Sequence, residues 1–125
     1  VFSNDDTVWN KLELAGKQTG EENWRMPVMH EAFANAVKGK VADLSNTGFM
    51  SGAGASTAAA FLHEFMEDAP DGSRRAWAHL DIAGTSRKAG QVTGVGARML
   101  HKYVMNDVAD KSALEIKNEP ALAQG

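Results

Sequence analysis

The chain has 125 residues, 43% of them hydrophobic, which is enough for one core and one domain. Thirteen Lys and Arg against sixteen Asp and Glu leave a formal net charge of -3 with no basic cluster, which argues against nucleic acid as a partner. No apolar run is long enough to cross a membrane, the start carries no signal-peptide pattern, and the lack of cysteine excludes disulfides and zinc–thiolate sites and suits a cytoplasmic protein.

Val1-Phe2-Ser3, without an initiator Met, reads as a strand already under way and so as a piece of a longer polypeptide. Asn4, Asp5 and Asp6 offer cap acceptors and negative charge to a helix from about Thr7 to Gln18, with Val8, Trp9, Leu12 and Ala15 on its inward face and Gly20 as its stop. Trp24-Arg25-Met26-Pro27 is a break, and Pro27 suits the first turn of a second helix. That helix is predicted to reach about Lys38, with Met29, Phe33, Ala36 and Val37 inward and Gly39 as terminator. Val41-Ala42-Asp43-Leu44 is a weaker strand candidate. A glycine-rich loop then runs from Ser45 to Gly54, and Ser56 or Thr57 can cap the next helix. In it Ala58, Phe61, Leu62, Phe65 and Met66 recur at the spacing of one buried face, while Ala55, Ala59 and Ala60 keep the other faces thin.

Asp68 to Arg75 is a charged surface loop. The stretch Trp77 to Thr85 alternates, with Ala78, Leu80 and Ile82 on one side and Trp77, His79, Asp81 and Ala83 on the other. Both sides are largely apolar, which predicts a strand covered on both faces. It ends at Gly84-Thr85-Ser86, the end at which an open α/β sheet holds its ligand. Ser86 to Gly94, with Arg87 and Lys88, reads as a mobile loop. Thr93-Gly94-Val95-Gly96 opens a last helix to about Met105, with Val95, Met99, Leu100 and Tyr103 inward. From Asn106 the periodicity fades, and a frayed tail is expected, with a helical turn around Ala113 to Ile116. The order β-α-α-β-α-β-α predicts the α/β class: a three-layer sandwich with a largely parallel sheet, seen as the C-terminal portion of a larger domain. So thin a sheet with bare edges points to missing sequence or a partner chain.

The chemistry legible in spacing is sparse. Gly48 to Thr57 places glycines before a helix, but the Gly-Lys-Ser/Thr ending of a phosphate loop is absent, since Gly54-Ala55-Ser56 carries no lysine. The loop's glycines and alanines are better explained by close packing. His63-Glu64 begins like a zincin helix, yet the second His would fall at Glu67, so a solvated pair is expected. His79 and Asp81 share a strand face and are the best metal or acid–base candidates, although a hydrogen-bonded structural pair is the commoner arrangement. His30 and His101 read as surface residues.

A longer pattern says more. Trp77-Ala78-His79-Leu80-Asp81-Ile82-Ala83-Gly84 resembles a segment near the C-terminus of the leucyl aminopeptidase family (cytosol aminopeptidase, peptidase family M17). Val1-Phe2-Ser3-Asn4, Trp24-Arg25-Met26-Pro27 and Ala42-Asp43-Leu44-Ser45-Asn46 resemble further segments of that family, in its order. So do the helix at Gly52 to Leu62 and the helix at Thr93 to Leu100. The resemblance covers residues 1 to about 105 and implies two parts: 1–105 as the C-terminal part of a catalytic domain, and 106–125 as a tail.

The resemblance implies an enzyme that removes N-terminal residues, leucine especially, from peptides. It implies two divalent metal ions (Zn, Mn or Mg) in the complete enzyme, a homo-hexamer built as a dimer of trimers, and a cytoplasmic location. The family's metal-binding signature, Asn-Thr-Asp-Ala-Glu-Gly-Arg, has no counterpart in this chain, nor has its lysine- and aspartate-bearing stretch. The segment is therefore expected to hold no catalytic residue and no metal, to depend on the remainder of the aminopeptidase chain, and to be inactive alone. An assembly module is the alternative. By motif position, Ala83 and Ser86 match residues lining the pocket for the first substrate side chain, and Thr47 matches one near the second pocket.

Overall fold

The computed structural model describes residues 1–28 and 30–118. Within them eight elements follow one another: β1 (Phe2–Ser3), α1 (Asp6–Thr19), α2 (Glu31–Ala36), α3 (Gly54–His63), β2 (Ala78–His79), β3 (Arg87–Lys88), β4 (Gln91–Val92) and α4 (Ala97–Asn118). The expected mixture of helices and strands is present. The strand pairs, however, are short and antiparallel rather than parallel: Phe2 faces His79 and Ser3 faces Ala78, while Arg87 faces Val92 and Lys88 faces Gln91. A parallel bridge joins Phe2 to Met26, so β1 lies between the 24–26 segment and β2. Asn4 reinforces this edge, accepting from the Trp77 amide at 2.8 Å and donating to the Arg75 carbonyl at 3.0 Å.

α1 forms for local reasons. Asp5 is extended and its carboxylate accepts from the Val8 amide at 2.8 Å. Gly20, at φ 70°, ends the helix in the left-handed conformation and donates to the Gly16 carbonyl. Trp9, Leu12 and Ala15 are buried as the periodicity predicts. α2 starts later than Pro27 would allow, with His30 as its N-cap: its Nδ1 accepts from the Ala32 amide at 3.2 Å. Met29 lies outside the described residues. The 41–44 strand candidate is reduced to a single antiparallel bridge between Lys38 and Leu44, with Val41 fully exposed.

α3 reverses the expectation drawn from its apolar spacing. Ser56 and Thr57 are not caps but buried residues inside the helix, and with Ala59 and Ala60 they form its inward face. Thr57 donates to the Gly54 carbonyl at 3.1 Å. Small side chains let α2 and the Gly48 turn approach closely, and this leaves Leu62 (42% exposed) and Phe65 (64% exposed) outside. Which face is buried is decided by what the neighbouring backbone can reach, not by hydrophobicity alone.

The predicted central strand is also shorter than expected. Only Ala78 and His79 pair, and from Asp81 the chain turns, with Thr85 and Ser86 donating to the Ile82 carbonyl at 3.0 and 2.8 Å. The predicted mobile loop at 86–94 is the β3–β4 hairpin, turned by Ala89 and Gly90, both at positive φ. α4 continues from Ala97 to Asn118 instead of fraying at Asn106. Its amphipathicity fades there, but residues of good helix propensity and a Lys111–Asp107 pair at 2.8 Å sustain it. Leu100, expected inward, is exposed. The remainder of the tail lies outside the described residues.

α1 and α4 hold the core. Leu12, Ala15 and Met99 form its buried centre, ringed by Val1, Val8, Ala78, Leu80 and Tyr103. At the rim, Lys11 binds Asp107 at 2.6 Å. Hydrogen bonds from Lys11 and then Lys111 hold the Asp107 carboxyl down at about 2, against an ordinary 3.8. A carboxylate depressed in the folded state stabilises above its unfolded value and loses that contribution as pH falls. Unfolding monitored in urea is therefore expected to ease as pH drops from 3.8 towards about 2, and Asp107→Asn is expected to flatten that part of the profile. An unchanged acid limb in the variant would assign the effect to other groups.

Candidate functional site

A cavity of about 450 Å³ opens between several pieces of chain, with Ala55 of α3 among its lining residues. One wall is Leu80 to Thr85, the segment that follows β2. The opposite wall is Val95, Gly96 and Met99 at the start of α4. The floor comes from Val1 and Phe2 with Glu21 to Trp24 and Met26. The lining is mainly apolar with a few polar groups, the usual make-up of a small-molecule site.

Each wall has a local cause. Asp81 accepts from the Ala83 amide at 3.0 Å, which starts the turn that presents Ala83, Gly84 and Thr85. Thr93 ties this turn to the run leading into α4, donating through its hydroxyl to the Thr85 carbonyl at 2.7 Å and through its amide to the Ser86 carbonyl at 2.9 Å. The floor is anchored by Glu21. Its side chain is only 5% exposed, and its Oε2 accepts from the amides of Gly96 at 3.1 Å and Met99 at 3.0 Å. Free amides at a helix start favour a carboxylate there. Oε1 faces the Arg98 guanidinium at 2.7 Å, an ion pair outside hydrogen-bond angles. Asn23 donates to the Leu12 carbonyl at 3.4 Å and contacts the Met99 sulfur at 2.8 Å.

Of the three residues expected at a substrate pocket, Ala83 lies on the cavity wall. Ser86 is half-buried on the same turn, its hydroxyl 3.4 Å from the Ala83 carbonyl, and it does not line the cavity. Thr47 is exposed on a separate turn, 3.4 Å from the Ser45 hydroxyl. Glu21 and Asn23 were not legible as site residues. They reach the cavity through contacts with the distant α4 start, and no local motif marks them.

The histidines fall elsewhere. His79 stacks between Phe2 at 5.9 Å and Trp77 at 6.2 Å, and burial pushes its pKa down against the opposing charge of Asp81. His63 is not solvated as expected. Its ring stands edge-on to Trp77 at 5.2 Å, and burial, then Arg74, lower its pKa. Glu64 pairs with Lys38 at 3.1 Å. His101 is exposed, as is His30. Among the described residues no three His, Asp or Glu side chains come together as metal ligands, and no helix is long and apolar enough to cross a membrane. The donor set of the described residues does not fit a two-metal centre.

Comparison with known proteins adds to this geometry. The family described as "Cytosol aminopeptidase family, catalytic domain" matches residues 1–101. A "Probable cytosol aminopeptidase" of Methylobacterium radiotolerans is 42% identical over 83% of this chain and 20% of its own length. Proteins of the same name from Chelativorans sp. and Nostoc punctiforme are 43% and 40% identical, over 83% and 84% of this chain and 21% of their own length. The chain thus spans about a fifth of the length of the curated relatives it matches.

Proposed function

Because this chain belongs to the cytosol aminopeptidase family, we propose that it is the C-terminal part of the catalytic domain of a two-metal leucyl aminopeptidase. The observation that carries this reading is the family match over residues 1–101, and Ala83's position on the cavity wall supports it. In this reading residues 1–105 complete the catalytic domain, a three-layer sandwich with a largely parallel sheet, and 106–125 are its tail. Ala83, on the cavity wall, lines the pocket for the first substrate side chain, Ser86 backs it from the same turn, and Thr47 lies near the second. The two divalent ions (Zn, Mn or Mg) are held by the remainder of the polypeptide. Bound there, they would supply Lewis-acid activation of a water and of the peptide carbonyl. The whole acts on peptides in the cytoplasm as a homo-hexamer, a dimer of trimers.

The 125-residue chain alone is expected to release no leucine from leucyl amide and to bind no divalent ion stoichiometrically, whereas the polypeptide at the length of its relatives does both. Tight one-to-one metal binding by the chain alone, read by calorimetry, would refute this. A second reading, an assembly module without activity, draws on Leu62 in the last turn of α3 and Phe65 just beyond it, both exposed. It requires the chain alone to elute as an oligomer, with no catalytic partner able to restore activity.

A further inference from the structure

Glu21 is a buried carboxylate with two backbone partners that belong to another element. These amides, on Gly96 and Met99, lie 75 and 78 positions further along the chain. The same contact defines one wall of the cavity, because Val95, Gly96 and Met99 line it and Glu21 lines its floor. Asn23, two residues on, holds the Met99 sulfur at 2.8 Å from the same floor. The floor segment is itself fixed to α1: the Glu21 amide donates to the Gly16 carbonyl at 2.9 Å. The start of α4 is therefore tied to the floor by side chains of the 21–23 turn, while Thr93 ties the run before it to the Ala83 turn. Arg98 partners the carboxylate from outside, 63% exposed, so the charge of Glu21 is matched without entering the cavity.

We propose that Glu21, seconded by Asn23, is a positioning residue for substrate specificity: it holds Val95 and Met99 at the distance from Ala83 that fits a branched side chain such as leucine's. This rests on the reading above that the cavity takes the first substrate side chain. Neither residue touches the reacting bond. Their effect is on the width of an apolar slot, in which a methylene's worth of fit changes discrimination by about tenfold or more.

The test is steady-state kinetics of the complete enzyme with leucyl and alanyl amides. Glu21→Gln keeps the shape but removes the charge and one acceptor oxygen. It is expected to raise KM for the leucyl amide about tenfold, with kcat within about twofold, and to lower the preference for leucyl over alanyl substrate. Glu21→Asp is expected to fall between the variant and the parent. A fall in kcat with KM and preference unchanged would show a role in stability alone and overturn the proposal, as would unchanged kinetics. Should Glu21→Gln not fold, Asn23→Ala removes the second tie and is expected to give the same loss of preference, and unchanged preference there overturns the proposal. Ala83→Leu separates the two readings. If it leaves leucyl kinetics untouched, the cavity is not the substrate pocket and both fall. If it alters them while Glu21→Gln is silent, only the positioning role falls.

Discussion

Replacing Met99 by alanine is expected to lower the free energy of unfolding by about 2–5 kcal/mol. Met99 is 1% exposed and shares the buried centre with Leu12 and Ala15, and Val1, Val8, Ala78, Leu80 and Tyr103 pack around it. These neighbours come from α1, from the β1–β2 edge and from α4 itself, so no single segment can move in to fill the space. The loss then combines the transfer term of the side chain with the term for a retained cavity. Asn23 also loses its contact with the sulfur. The measurement is the urea midpoint at constant slope, and the change belongs to stability if the slope holds. A loss below about 1 kcal/mol would mean that the site collapses freely and that α4 is not locked to α1 through this residue.

Gly16→Ala is expected to destabilise, against the usual sign. Within a helix, alanine in place of glycine normally stabilises by about 1 kcal/mol. At Gly16 an added Cβ would stand 2.5 Å from the Glu21 carbonyl oxygen and 2.6 Å from the Asn23 side-chain nitrogen. The first of these is backbone, and the Glu21 amide holds it against α1 through the Gly16 carbonyl. The turn must shift away, and overpacking of this kind costs about 1–3 kcal/mol. The thermal midpoint is therefore expected to fall. A Gly16→Ala variant that melts higher than the parent would show that the turn yields at no cost. A shifted turn would also move Glu21 and Asn23, so the substitution should disturb the α4 start although it lies on α1.

The local features of the fold were legible because they close within a few residues. Asp5 meets the Val8 amide three positions on, and Gly20 meets the Gly16 carbonyl four positions back, so the composition of each turn is enough to place both ends of α1. The same holds for the charged loop at Asp68 to Arg75, where Asp71 accepts from the Ser73 amide at 2.9 Å. The 77–85 segment shows where this stops. Its alternation states a preference for extended chain, but a strand also needs a neighbour's amides and carbonyls, and β1 supplies them only to Ala78 and His79. In α3 the spacing of Phe61, Leu62 and Phe65 marks a real apolar stripe. Phe61 is nevertheless only half-buried and Leu62 and Phe65 are exposed, because the buried side is the one small enough to admit α2 and the Gly48 turn.

By itself the sequence determined the family, the mixed helix-and-strand class, α1 with its Gly20 stop and its cap narrowed to Asn4, Asp5 or Asp6, and the inward set Trp9, Leu12, Ala15 and Met99, since composition, short-range hydrogen bonding and ordered motifs all act along the chain. The tertiary structure alone decided that β1 and β2 run antiparallel, that α3 buries Ser56, Thr57, Ala59 and Ala60, and that Glu21 joins the start of α4 to form a cavity with Ala83. Each of these rests on contacts between segments that are separate in sequence. Their energy comes from removing two distant surfaces from water together and pairing their polar groups, and no periodicity within either segment encodes the other.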